Sequence, residues 1–182
     1  MFEMRPARTS DRPQIAALIR ARADWMRGRG LPGWEGWHSG ADDLAGQAGV
    51  DGLAVWALVD SPTGAIVGIT SLYEQASPLL WPNESERRQP SFFLATTVTH
   101  PASAGHRPGC LIAWWALDRA AREGRMWVRR GTGPYPGLIA YYRDVQGWRV
   151  VRTVQHQGVT AHALQRRAEL QPHLPELGMA VN

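Results

Sequence analysis

Phe2 to Arg8 alternates apolar and polar residues, the period of a half-buried strand. Ile15, Leu18, Ile19, Arg22 and Met26 then recur at helical spacing, giving one mainly apolar face. Ser10 or Asp11 is placed to cap this helix, and Pro13 falls in its first turn, where a missing N–H costs little. Gly28 and Gly30 end it. The segment LPGWEGWHSG is glycine-rich and aromatic and is expected to form a loop, with a short helix after it around 42–48. Leu53 to Val59 and Ala65 to Tyr73 are β-rich runs separated by turn residues between Asp60 and Gly64, which predicts a hairpin. Glu74 to Pro90 holds three prolines and several charges and reads as a surface excursion. Ser91 to Thr99 is strongly β-prone. A helix over 109–123 follows, with Cys110, Ala113, Trp114, Leu117 and Ala121 on one face. Met126 to Arg130 is a short strand, and Leu138, Ile139, Tyr142 and Val145 mark another helix, stopped by Gly147. Trp148 to Gln155 and Val159 to Gln165 form a closing hairpin.

This order predicts an α/β (α+β) sandwich on a mixed, largely antiparallel sheet of six to seven strands, flanked by about four helices. One domain over 1–169 is expected, and Pro172 and Pro175 suggest a loosely held tail over 170–182.

Composition narrows the partners. The chain has 182 residues, 44% hydrophobic and 20% charged, as a globular protein would. The opening MFEMRPARTSDRPQ carries charge where a secretory leader needs an apolar run, and no stretch approaches the ~20 apolar residues of a membrane span. The single cysteine, Cys110, excludes an internal disulfide, and a reducing cytoplasm is the simplest compartment. His38 and His162 have no ligand-like spacing, so no metal is expected. All 20 basic residues are arginine, which fits a GC-rich bacterial genome. They are scattered rather than gathered into the basic face of a nucleic-acid binder. Arginine does suit phosphate, whose oxygens match its planar fork.

The informative unit is the strand, the loop HPASAGHRPGC and the helix that follows. A helix start offers unpaired N–H groups and partial positive charge to phosphate oxygens. Gly105 and Gly109 allow a close approach, and His106 and Arg107 add polar groups.

The arrangement resembles the GNAT superfamily of N-acetyltransferases. In that family the fourth strand ends in a V-x-P-like turn, followed by Q/R-x-x-G-x-G/A and a helix. Val98-Thr-His-Pro101 matches the turn. Counting on places Ala104 at the Q/R position, Arg107 at the first glycine and Gly109 at the last position, so one of three signature positions matches. LIAYYRDVQGWRVV and RPARTSDRPQIAALI are similar to the family's later and opening segments, and the likeness spans residues 2–168. It implies acetyl-CoA or another acyl-CoA as co-substrate, gripped by Val98, His100, Ala104, Gly105, His106, Arg107, Gly109 and Cys110. It further implies that the strand before the loop splays from Met126–Arg130, and that pantetheine pairs with exposed amides near Val98 and His100.

The resemblance implies direct attack of an amine on the thioester. Tyr142 is then the candidate acid, although it stands five residues before Gly147 where family tyrosines stand four; one extra residue in the helix end would restore the match. Tyr142 packing on the sheet is the other reading. Glu74 and His100 are candidate bases. Trp34, Glu35 and Trp37 are placed to form the pocket of a small-molecule amine, which they favour over a protein amine. Homodimers are common among such proteins. A non-catalytic binding or regulatory protein of the same fold is the alternative, because Ala104, Arg107 and Pro108 depart from the family's loop.

Overall fold

The computed structural model describes residues 1–180. The strands are β1 (Phe2–Pro6), β2 (Val55–Asp60), β3 (Ala65–Tyr73), β4 (Ser91–Thr99), β5 (Trp127–Thr132), β6 (Arg149–His156), β7 (Val159–Arg167) and β8 (Met179–Ala180). The helices are α1 (Arg12–Gly28), α2 (Trp34–Ser39), α3 (Ala41–Gly46), α4 (Glu84–Arg87), α5 (Pro108–Arg122) and α6 (Pro136–Asp144). Eight strands thus stand against the six to seven expected, in a mixed α/β fold that is largely antiparallel. No helix among the described residues is long and apolar enough to cross a membrane.

The chain forms two compact units; β3, β4 and α5 each contribute to both. In the first unit β1 runs antiparallel to β2 and β2 antiparallel to β3. Its core joins Ile15, Leu18 and Ile19 of α1 to Val55, Ala57, Val59, Ile66 and Ile69. The helical spacing read from the sequence therefore did face a sheet. Asp11 stands at the N-cap of α1 but makes no side-chain bond to that helix. Its carboxylate instead accepts from both terminal nitrogens of Arg5, at 2.6 and 2.9 Å, and from the Arg8 N–H at 2.7 Å.

As far as residue 180, the segment expected as a loose tail is packed. Leu174 and Met179 are buried, the Phe2 N–H donates to Gly178 O at 2.5 Å, and β8 pairs parallel with β1. A two-residue strand held by backbone bonds carries no hydrophobic period that a sequence reading could detect.

In the second unit β4 runs parallel to β5, and β7 pairs antiparallel with both β5 and β6. The β6–β7 turn is Gln157-Gly158, with φ of 49° and 76°; positive φ at both central residues matches the right-handed strand twist. The segment 74–90 is no mere surface excursion, because Leu80 and Trp81 are buried with Ala76 and Ala163. Trp81 meets Phe93 edge-on at 6.0 Å, and the Arg129 guanidinium lies 5.3 Å from its ring centre.

Buried Asp118 on α5 accepts from the Gln171 N–H at 2.8 Å and from Arg122 Nε at 2.5 Å. Asp118→Ala leaves that buried amide unpaired and is expected to lower stability by about 2 kcal/mol. Urea unfolding checks this, and a change below about 0.5 kcal/mol would mean the amide finds another partner.

Candidate functional site

β4 is extended through Leu94, where its register with β5 ends opposite Arg130. Thr96, two residues on, takes φ 50°, a left-handed backbone that a β-branched residue avoids. At the strand's end the His100 N–H donates to Val67 O at 2.8 Å, so this amide is spent on β3. Alternation then turns the N–H and C=O of Thr99 to the other edge of the strand. Arg22 of α1 meets that carbonyl with Nε and a terminal nitrogen, at 2.9 and 2.6 Å, and the Thr99 hydroxyl at 2.7 Å. The expectation of exposed amides near Val98 and His100 is thus corrected at His100, whose N–H is taken by Val67 O.

The loop itself is compact. His100 Nδ1 accepts from the Ala102 N–H at 3.2 Å and starts a 3-10 turn over Pro101–His106. The Arg107 N–H closes the turn on Ala104 O at 3.0 Å, and Arg107 takes φ 50° and ψ 51°. This left-handed residue occupies the position matched to the family's first glycine, where glycine adopts such a conformation without strain. Its carbonyl accepts from the N–H groups of Cys110 and Leu111, at 2.9 and 3.2 Å. Pro108 has no N–H, so Gly109 is the first-turn amide not folded back on Arg107.

Ala104, Gly105, His106 and Arg107 are exposed and together form the outer rim of the turn. Among the described residues, no hydrogen-bond or ion-pair partner meets the Arg107 guanidinium. A Cβ at Gly105 would enter open space, so this glycine keeps the rim low without being required by packing. The Val98 and Cys110 side chains are buried in the protein rather than turned to the rim. Arg107→Gly removes the left-handed strain, less the greater unfolded-state freedom of glycine, and is expected to raise stability by roughly 0.5–1 kcal/mol. Thermal unfolding checks it; destabilisation would show that the arginine side chain holds the turn.

The segment expected to be a loop with an aromatic wall is partly helical. Gly33, at φ 83°, opens α2, which carries Trp34, Glu35 and Trp37. Glu35 is exposed, Trp37 packs partly against the core of the first unit, and the Arg27 guanidinium covers Trp34 at 5.3 Å. Trp25 lies within reach of two cations, Arg22 at 4.8 Å and Arg29 at 4.5 Å.

The two remaining candidates, Tyr142 and Glu74, lie in the second unit. Glu74 is exposed and paired with Arg125 at 3.0 Å, so its charge is already answered. Tyr142 is buried on α6, and its hydroxyl oxygen accepts from Arg130 at 2.7 Å. The end of α6 is widened: the Gln146 N–H reaches back five residues to Tyr141 O, and the Trp148 N–H six residues to Tyr142 O. Arg22 and Arg130 were missed by the sequence reading. For Arg130 a signal existed, since strand alternation puts it on the face of fully buried Val128. No group of three or more metal-ligating side chains is found among the described residues.

No protein-family model matches the chain, and no curated protein sequence does. Solved structures do. A GNAT-family acetyltransferase from Listeria monocytogenes superposes with a TM-score of 0.70 at 16% identity, covering 91% of this chain and 94% of that one. The PaiA N-acetyltransferase from Thermoplasma acidophilum, in complex with coenzyme A, gives 0.63 at 13% identity, with 92% and 99% covered. The ribosomal-protein-S18-alanine N-acetyltransferase from Escherichia coli gives 0.62 at 11% identity, with 94% and 96% covered. The chain has the fold of the GNAT acetyltransferases.

Proposed function

We propose that this chain is an acyl-CoA-dependent N-acyltransferase that moves an acetyl or other short acyl group to a primary amine of a small molecule. The observation that carries the reading is the turn after β4. There a left-handed arginine with an unengaged guanidinium caps the start of an amphipathic helix, in a fold whose solved neighbours are acetyltransferases. Phosphate oxygens of the co-substrate would be met by Arg107, the Gly109 N–H and the rim of Ala104, Gly105 and His106. Arginine supplies there a charge-assisted donor, where the family's glycine supplies bare backbone.

The amine nitrogen attacks the thioester carbonyl directly, and Tyr142 protonates the departing sulfur. With Glu74 tied to Arg125, His100 or water takes the extra proton of the ammonium form before the neutral amine attacks. Trp34 is already covered by Arg27 and Trp37 packs against the core, so exposed Glu35 on α2 is what favours a cationic small molecule over a protein chain as acceptor. That a protein-modifying enzyme shares the fold leaves a protein amine as an outcome the acceptor panel must score.

Thiol release from acetyl-CoA across a panel of small amines and peptides tests the reading directly. Turnover with a small amine supports it, and turnover with peptides alone would reassign the acceptor. Binding without turnover would support the non-catalytic alternative. Arg107→Glu is expected to weaken acetyl-CoA binding about tenfold, the loss of roughly one charge-assisted contact. Unchanged affinity would remove Arg107 from the cradle.

A further inference from the structure

Arg130 is 4% exposed, at the middle of β5. A terminal nitrogen donates to the Tyr142 hydroxyl oxygen at 2.7 Å, while the guanidinium lies 3.8 Å from the Tyr142 ring centre and 5.5 Å from that of Trp148. Its Nε is buried with no hydrogen-bond partner, and no carboxylate lies within 4.0 Å of it among the described residues. The neighbouring Arg129 is different. It is also buried, and its desolvation pushes its pKa down from the ordinary value. Yet it donates to three oxygens, of Glu86, Gln89 and Gln165, and so is accounted for by structure.

A buried guanidinium with neither a counterion nor a full set of acceptors is unfavourable to folding. An apolar side chain of similar length would pack against Tyr142 and Trp148 without that penalty. What arginine provides and an apolar residue cannot is positive charge and a donor at one atom, Tyr142 Oη.

The geometry points to Arg130 as a positioning residue that acts through Tyr142; this rests on the reading of Tyr142 as the acid of acyl transfer. Because the guanidinium donates, it occupies a lone pair of the phenol oxygen and directs the phenol's own hydrogen elsewhere, where it can be given away. When the amine has added to the carbonyl, the C–S bond breaks and its electron pair goes to sulfur. The Tyr142 proton passes to that sulfur and completes the free thiol. The phenolate left behind keeps its hydrogen bond from Arg130, whose charge opposes the charge just formed. It recovers a proton from the nitrogen, which sheds one in becoming a neutral amide.

The test is a double-mutant cycle of Arg130→Met and Tyr142→Phe, with Arg130→Lys as the conservative variant. Arg130→Met is expected to lower kcat tenfold to about a hundredfold, with KM for acetyl-CoA within about twofold, and Arg130→Lys to recover part of the loss. In the Tyr142→Phe background, Arg130→Met should cost less than about threefold, because its route of action is gone. Equal factors in both backgrounds would overturn the proposal, as would a wild-type kcat for Arg130→Met. A wild-type protein that turns over no acyl-CoA would instead be the failure of the enzymatic reading. Independently of activity, the carbon-13 signal of the Tyr142 ring carbon bearing the hydroxyl, identified by its loss in Tyr142→Phe, should shift in Arg130→Met. A signal that stays in place would remove the contact and the inference with it.

Discussion

Tyr142→Phe is expected to lower kcat about a hundredfold, toward the lower end of what a positioned general acid contributes. Its KM for acetyl-CoA should change less than twofold, because in the proposed role the hydroxyl acts on the departing sulfur and not on the bound ground state. The same substitution has a structural effect that must be separated from the chemical one. The hydroxyl oxygen is the acceptor of a hydrogen bond from buried Arg130. Phenylalanine leaves that donor unsatisfied, so stability should fall by about 1–2 kcal/mol. Steady-state kinetics well below the lowered melting temperature, alongside thermal unfolding, separates the two. A wild-type kcat combined with the expected loss of stability would leave Tyr142 as a packing residue.

The largest effect expected on stability comes from Asp11. It is buried, and it accepts three hydrogen bonds from Arg5 and the Arg8 N–H. Asp11→Ala orphans all three donors, and the Arg5 side chain is 19% exposed, so water rescues it only in part. A loss of about 2–3 kcal/mol is expected, below that of a fully buried pair. The pH dependence follows from the same contacts. The hydrogen bond from Arg5 is the main cause holding the Asp11 carboxyl below the ordinary carboxylate pKa; desolvation opposes it, and the Arg8 amide and the nearby charges add to it. A carboxyl depressed in the folded state contributes stability that is fully present above its unfolded pKa, about 3.9. That contribution is lost as pH falls below this value and through the folded pKa. Wild-type stability should therefore decline below about pH 4, and Asp11→Ala should show a shallower slope there. Equal slopes in chemical unfolding across that window would show that Asp11 is not the group responsible.

The elements that bury one face were legible in the sequence. α1 and α5 announced themselves by apolar residues three and four apart, and the two hairpins by turn residues between β-rich runs. β8 was not legible, since two residues held by backbone bonds leave no period. Trp81 was misjudged because its neighbouring prolines and charges describe the backbone path of 74–90 and not the side chain that anchors it. The LPGWEGWHSG segment folds as a short helix after Gly33, since glycine there opens the helix instead of preventing it.

At the candidate site, the sequence placed the loop but not its conformation. A left-handed arginine cannot be read from residue type, because arginine rarely adopts it. The spending of the His100 amide on β3 depends on strand register, which one sequence does not specify. Arg130 reads only as the end of a short strand, and arginines seldom lie fully buried. Only the structure shows it held against Tyr142.

The central claim is that the turn from His100 to Gly109 holds an acyl-CoA. The measurement closest to it is the melting temperature of the wild-type protein titrated with acetyl-CoA from micromolar to millimolar concentration. A ligand bound only by the folded state must stabilise it, by about 2.7 kcal/mol at a hundred times Kd, and the shift should be smaller in Arg107→Glu. No shift at millimolar acetyl-CoA would contradict the account.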